Sequence, residues 1–306
     1  MWLVLAFLSA ASLGFYDVFK KMSLRENAVI PVLFLNTLFC ACIFLPLIVG
    51  SATGLIDPGS QGYIPTYGWA EHRLILLKSL IVLSSWILGY FGIKHLPLTL
   101  VGPINATRPV MTLVGALLIF GEQLNGWQWA GVVLAILSFF LLSRSSRKEG
   151  ISFVHNGWVA CIVLAAVLGA ASGLYDKFLM TSAAQQGGGL DKLAVQGWYN
   201  VYQCFMMLIV LLIVWVPLRG RSTPFRWRWS IVFISLFLTA ADLAYFYALS
   251  LPGALVSVVS MVRRSSVIVS FIFGAIIFSE RNLKSKVLDL LLVLLGMVCI
   301  WIGTHA

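Results

Sequence analysis

The chain has 306 residues, of which 60% are hydrophobic and only 10% charged, and its mean hydropathy is +0.96. A soluble domain is roughly one-quarter charged, so a water-soluble fold of this length has no room to hide so much apolar surface. The formal net charge of +10 does not point to nucleic acid. The basic residues lie in short loops between apolar runs, with no concentrated patch interleaved with stacking aromatics.

A spanning helix needs about 20 mainly apolar residues. In chain order, spans are predicted near 2–20, 28–50, 74–93, 98–120, 127–143, 157–177, 194–217, 228–249, 254–278 and 285–304. Tyr63, Tyr67, Trp69, Trp127, Trp129, Trp158, Trp198, Trp227 and Trp229 cluster near span ends, as an interfacial aromatic belt does. Residues 2–19 have no basic stretch before them and no small-residue cleavage site. They read as the first span rather than as a signal peptide. Cys40, Cys42, Cys161, Cys204 and Cys299 all fall inside apolar runs and read as small buried hydrophobes. The Cys40/Cys42 pair has no histidine nearby to complete a zinc site.

The most polar connection, residues 144–157, lies near the middle of the chain. Around it the sequence repeats. Gly14-Phe15-Tyr16-Asp17-Val18-Phe19 returns as Gly173-Leu174-Tyr175-Asp176-Lys177-Phe178. Tyr90-Phe91 followed by Leu96-Pro97 returns as Tyr245-Phe246 followed by Leu251-Pro252, and Phe120-Gly121-Glu122 as Phe278-Ser279-Glu280. The order is kept and the offsets differ by a few residues. The expected fold is therefore an all-α membrane protein of about ten transmembrane helices in two five-helix repeats, residues 1–145 and 157–306, joined by a linker at 146–156. Because five is odd, the second repeat must enter the membrane from the opposite side, which makes the repeats inverted.

Loops after odd-numbered spans hold 14 of the 21 Lys and Arg; the other side holds Arg73, Lys177 and Lys192, and Lys78, Arg108, Arg263 and Arg264 lie within spans. This bias predicts cytoplasmic odd-numbered loops, external termini and an external 51–72 loop. The expected location is a bacterial inner membrane.

Phe120-Gly121-Glu122-Gln123-Leu124, then Gln128 and Gly131, and in the second half Phe278-Ser279-Glu280-Arg281-Asn282-Leu283, resemble the EamA family of the drug/metabolite transporter superfamily. The resemblance covers essentially the whole chain and implies a transporter. Ten-helix members of that superfamily usually keep both termini in the cytoplasm, the reverse of what the charges predict here. In the ninth span, Val262-Arg263-Arg264-Ser265-Ser266 is similar to the Lys-Arg-bearing helix of plastid triose-phosphate translocators. That similarity implies that Arg263 and Arg264 contact substrate phosphate.

Charges inside spans cost upward of about 2.5 kcal/mol each and usually face a cavity or a partner. Arg108 in span four is bracketed by Pro103 and Pro109, with Asn105 and Thr107 beside it. A proline-interrupted span is the best sequence pointer to a transporter site. Spans four and nine are counterparts, so Arg108, Arg263 and Arg264 are expected near one another at midplane, offering guanidinium groups to an anion. Arginines that hold helices together would instead need acids, and Asp242 in span eight is the evident partner. Asp17 and Asp176 each follow a tyrosine and have a lysine nearby, Lys20 and Lys177. They read as proton-coupling or gating carboxylates, or more simply as pairs with snorkelling lysines. Tyr199, Asn200 and Gln203 in span seven either line a cavity or hydrogen-bond neighbouring helices. Trp86, Tyr90, Tyr245 and Tyr247 read as belt or packing residues, and Glu122 and Glu280 as helix-start residues.

The expected function is a secondary transporter of a small organic anion working by alternating access, with an exporter of amino acids, drugs or other zwitterionic metabolites as the alternative. The partners are the solute, the bilayer and a coupling ion or counter-substrate. No cofactor or metal is expected. An intramembrane enzyme would need a nucleophile with a base or a metal motif. His72, His95, His155 and His305 sit at loops or ends, and neither H-E-x-x-H nor G-x-S-x-G is present. A channel is the remaining class.

Overall fold

The structure, a computed structural model, describes residues 2–305 except 61, 109, 112–113, 116–124, 148–154, 181–187, 221, 251–261, 264 and 279–282. The described residues form an α-helical bundle without strands. The helices are α1 (Trp2–Leu24), α2 (Val29–Ala52), α3 (Trp69–His95), α4 (Leu98–Ala106) and α5 (Gly126–Arg147), then α6 (Gly157–Met180), α7 (Lys192–Val210), α8 (Ser230–Ser250), α9 (Ser266–Ile277) and α10 (Leu283–His305). Five of them, α1, α2, α3, α6 and α7 with its extension to Leu218, are long and apolar enough to cross a membrane. At 1.5 Å per residue, the 23 residues of α1 reach about 34 Å, enough for a hydrocarbon core of about 30 Å.

Two of the described spans depart from regularity. The helix of span seven passes through a π turn at Leu211–Trp215 before Val216–Leu218. Pro217 has no N–H to donate, and its ring crowds the carbonyl four residues back. In span four, α4 ends at Ala106. Thr107 turns back, its N–H reaching Ile104 O at 3.2 Å and its hydroxyl donating to the same oxygen at 2.7 Å. Arg108 follows directly after this break.

The halves interleave. The principal packing pairs are α1 with α8, α3 with α6, α2 with α7, α4 with α9 and α5 with α10. Exchanging the first five helices for the last five maps this set of pairs onto itself. Chain direction can also be read from contacts. Lys21, near the end of α1, donates to Ile93 O (2.6 Å) and Leu96 O (2.5 Å) at the end of α3, so α1 and α3 run the same way. Trp158, at the start of α6, stacks on His95 at the end of α3, so α6 runs opposite to both. Lys94, Arg226 and Arg228 lie at this same end. Lys94 donates to Thr223 Oγ1 (2.9 Å) and Arg228 to Met22 O (2.9 Å), while Asn27 donates to Arg226 O (2.7 Å).

The outside of the bundle is apolar: Val4, Ile213 and Ile276 are each at least 70% exposed. Inside, serine hydroxyls join helices through backbone oxygens. Ser9 donates to Ala241 O (2.6 Å), Ser85 to Ala165 O (2.7 Å) and Ser138 to Asp289 O (2.9 Å). Lipid tails are as apolar as leucine, so helices associate through close packing and such polar contacts. Gly14 shows how close the packing is: a Cβ there would lie 2.4 Å from Val269 Cβ and 2.9 Å from Ser266 O, neither of which can move aside freely. Gly14→Ala is therefore expected to pry α1 from α9 and lower stability by about 1–3 kcal/mol, the usual cost of overpacking. Thermal unfolding in detergent measures it.

Candidate transport site

A central cavity of about 150 Å³ lies among α1, α3, the break after α4, α8 and the start of α9. Tyr16, Asp17 and Lys20 line it from α1, Trp86 and Tyr90 from α3, Asn105 and Arg108 from span four, and Ser266 from α9. The stripe Leu13, Tyr16, Asp17, Lys20 follows the i, i+3, i+4, i+7 spacing of one helix face.

Lys20 is buried, not snorkelling. Its Nζ lies 2.9 Å from Asp17 Oδ1, and the ammonium sits 4.2 Å from the Tyr16 ring centroid and 5.1 Å from that of Tyr90. Pairing with a carboxylate and facing two aromatic rings offset the loss of water around a cation. Asp17 also accepts from Ser270 Oγ of α9 at 3.3 Å. Arg108 is held from two sides. Its Nη2 donates to Asn105 Oδ1 at 3.0 Å, one turn earlier on the same span. Across the halves, its guanidinium lies against Gly169 of α6, where any Cβ would come within 3.0 Å of Arg108 Cζ. Gly169 is thus what makes room for the arginine.

A second polar cluster lies among α3, α6, α7, α8 and the residues just before α9. Arg263 forms an ion pair with Asp242 and covers the Tyr245 ring at 4.5 Å. Gln196 donates to the other Asp242 oxygen at 2.8 Å. Lys78 forms an ion pair with Asp176, and its Nζ lies 5.3 Å from the Tyr199 ring centroid. Asn200 is buried and donates to Gln196 O at 2.9 Å. Gln203 is fully buried.

The sequence-based expectations fall out unevenly. Helices α4 and α9 do pack together, with Gly102 against Val267. Arg108 and Arg263, however, belong to different clusters: Arg108 lines the cavity with Asp17, and Arg263 is paired with Asp242. Arg264, Glu122 and Glu280 lie outside the described residues, as does the side chain of Lys177. Asp176 pairs with Lys78 of α3. Tyr199, Asn200 and Gln203 stand apart from the cavity lining, whereas Trp86 and Tyr90 are part of it. Sequence reasoning passed over Lys78 as a partner and over Gly169. The signal for Lys78 was its charge inside an apolar span; nothing in the sequence marked Gly169. The described residues contain no group of acids, cysteines and histidines that could hold a metal ion.

Residues 1–144 match the EamA-like transporter family model. EamA belongs to the drug/metabolite transporter superfamily, and the match together with the long apolar helices supports an integral membrane protein. A Sinorhizobium protein named "Uncharacterized transporter in cobO 3'region" is 26% identical over 142 residues, covering 46% of this chain and 96% of the relative. A solved structure described as "Crystal structure of protein" shares the fold over 99% of this chain and 97% of its own, with a TM-score of 0.59 and 14% identity. At that identity the likeness concerns fold alone. The EamA match places Tyr16, Asp17, Lys20, Tyr90, Asn105 and Arg108 in the matched half.

The Arg263–Asp242 pair is well buried, its side chains 20% and 12% exposed. Arg263→Ala leaves a carboxylate beside Gln196 alone and is expected to cost about 3–5 kcal/mol, as removal of one partner from a buried pair does. The double variant Arg263→Gln/Asp242→Asn is expected to recover most of that loss, measured by thermal unfolding in detergent.

Proposed function

We propose that this EamA-like protein is a secondary transporter that moves a small organic anion, bearing a carboxylate or phosphate, across a bacterial inner membrane. The cavity between the halves serves as the solute site, and the halves act as an inverted repeat that exposes it alternately to either side. The opposite senses of α1 and α6 and the self-mapping helix pairs support the inverted plan. The single observation that carries the anion reading is Arg108 on the cavity wall, seated by Asn105 and by the open face of Gly169. A guanidinium offers a planar fork of donors to a carboxylate or phosphate. Lys20 adds a second cation against the one carboxylate, Asp17.

Asp17 supports a second reading. A zwitterion such as an amino acid would place its ammonium toward Asp17 and its carboxylate toward Arg108. Neither reading gives the protein a catalytic role.

A panel of organic phosphates, carboxylates, amino acids and lipophilic cations, tested for thermal stabilisation of the purified protein, separates the readings. A ligand at 100 times its Kd stabilises the folded state by about 2.7 kcal/mol. Organic anions are expected to stabilise, and Arg108→Ala to weaken their binding roughly tenfold to hundredfold, the worth of a charge-assisted hydrogen bond. Stabilisation by amino acids alone favours the zwitterion, and stabilisation by lipophilic cations alone overturns both. Saturable uptake with counter-flow in proteoliposomes distinguishes a carrier from a channel.

The charge distribution supports a topology with both termini outside the cytoplasm. A reporter active only in the cytoplasm, fused after the last residue, is expected to be silent; an active fusion reverses the orientation.

A further inference from the structure

Arg108 reaches the cavity from the first half of the chain but rests on the second. A Cβ built on Gly169 of α6 would meet three atoms of one rigid plane: Arg108 Cζ at 3.0 Å, Nη1 at 3.0 Å and Nε at 3.2 Å. A point beside an edge of the guanidinium would lie nearer to the nitrogens than to the carbon. Here the carbon is as near as either nitrogen, so α6 covers the face of the group. The donors of a guanidinium lie in its plane, and a contact over the face uses none of them. One in-plane donor, Nη2, meets Asn105 Oδ1 at 3.0 Å. Gly169 thus fixes the plane, and Asn105 fixes the rotation within it.

Helix α6 is built for this approach. Its inward face carries Ile162, Ala165, Ala166 and Gly169 at helical spacing, and the side chains shrink toward the arginine. Ile162 packs on Gly92 of α3. Ala165 O accepts from Ser85 Oγ at 2.7 Å, and its Cβ lies 3.9 Å from where a Cβ on Gly89 would stand. Past the arginine, Leu174 lies against Gly115 of span four. The helix is held on both sides of Gly169, so its backbone there is a fixed wall for the guanidinium.

We propose that Gly169 is a positioning residue of the solute site. The charge comes from span four in the first half and its orientation from α6 in the second, so the anion site is complete only while α6 lies against the break in span four. This inference deepens the anion reading and rests on it. A side chain at position 169 pushes the guanidinium out of its plane and away from Asn105. The atoms it displaces are the end of a flexible side chain, so the helices themselves need not part. Gly14, which faces a backbone oxygen and the β-branched Val269, is the opposite case.

Arginine labelling of the purified full chain in detergent tests this. Phenylglyoxal modifies arginines, and peptide mass spectrometry reads each one separately. Gly173→Ala is the control, because Gly173 lies on the same helix with open space around its Cβ position. In Gly169→Ala, modification of Arg108 is expected to rise severalfold over this control, with Arg263 unchanged in its ion pair with Asp242. Unchanged Arg108 labelling, or a rise shared by Arg263 as a damaged fold gives, overturns the proposal. Benzoate and phenyl phosphate then probe binding by thermal stabilisation. Gly169→Ala is expected to weaken anion binding roughly tenfold, the worth of a charge-assisted hydrogen bond. It is expected to add nothing in the Arg108→Ala background, as residues acting through one another behave in a double-mutant cycle; full additivity overturns the proposal as well. If the labelling changes and neither anion binds the parent, the solute reading fails and the positioning role stands. If Arg108→Ala weakens an anion while Gly169→Ala changes neither labelling nor binding, the solute reading stands and the positioning role fails.

Discussion

The organising constraint of this molecule is the cost of an ionised group in hydrocarbon. A charge without water must find a counter-charge, a ring face or an oriented dipole, and four buried cations among the described residues have done so. Lys20 has Asp17 and two tyrosine rings; Lys78 has Asp176 and a tyrosine ring; Arg263 has Asp242 and a tyrosine ring; Arg108 has Asn105. The recurrence of cation, carboxylate and tyrosine follows from the medium. An aromatic face stabilises a cation without adding a charge that would itself need a partner.

The same constraint explains how the helices meet. With no hydrophobic drive between apolar surfaces in lipid, association depends on close approach and on polar contacts. Gly14, Gly92, Gly102 and Gly131 let α1, α3, α4 and α5 approach partners in the second half, and Ser9, Ser85 and Ser138 add hydrogen bonds along the same interfaces. Contact between halves thus includes small residues and single hydrogen bonds, beside the stacking of Phe19 on Phe237 and the Lys78–Asp176 ion pair.

Function enters where this pattern is broken on purpose. Span four breaks at Thr107 just before Arg108, and a glycine from the other half leaves the space its guanidinium fills. Backbone irregularity at membrane depth is tolerated where it is buried in protein or lines a cavity, and here it borders the central cavity. The ionic layer of Lys78 and Asp176 lies further toward one end, between elements of different halves.

The sequence by itself determined the medium and the helical class and led to the expectation of a repeat, because apolar run length and recurring motifs are local properties of the chain. It also marked Arg108, Asp17, Asp176 and Asp242 as residues that need an explanation, since a charge inside an apolar run is visible without any fold. What only the tertiary structure decided is who answers whom. Lys78 and Asp176 are far apart in sequence, as are Arg108 and Gly169, and no periodicity links them. Arg108 and Arg263 lie in spans expected to be counterparts, yet one lines the cavity and the other is paired with Asp242. The reason is physical: the energy of a buried charge depends on distances across helices, which exist only once the halves have packed.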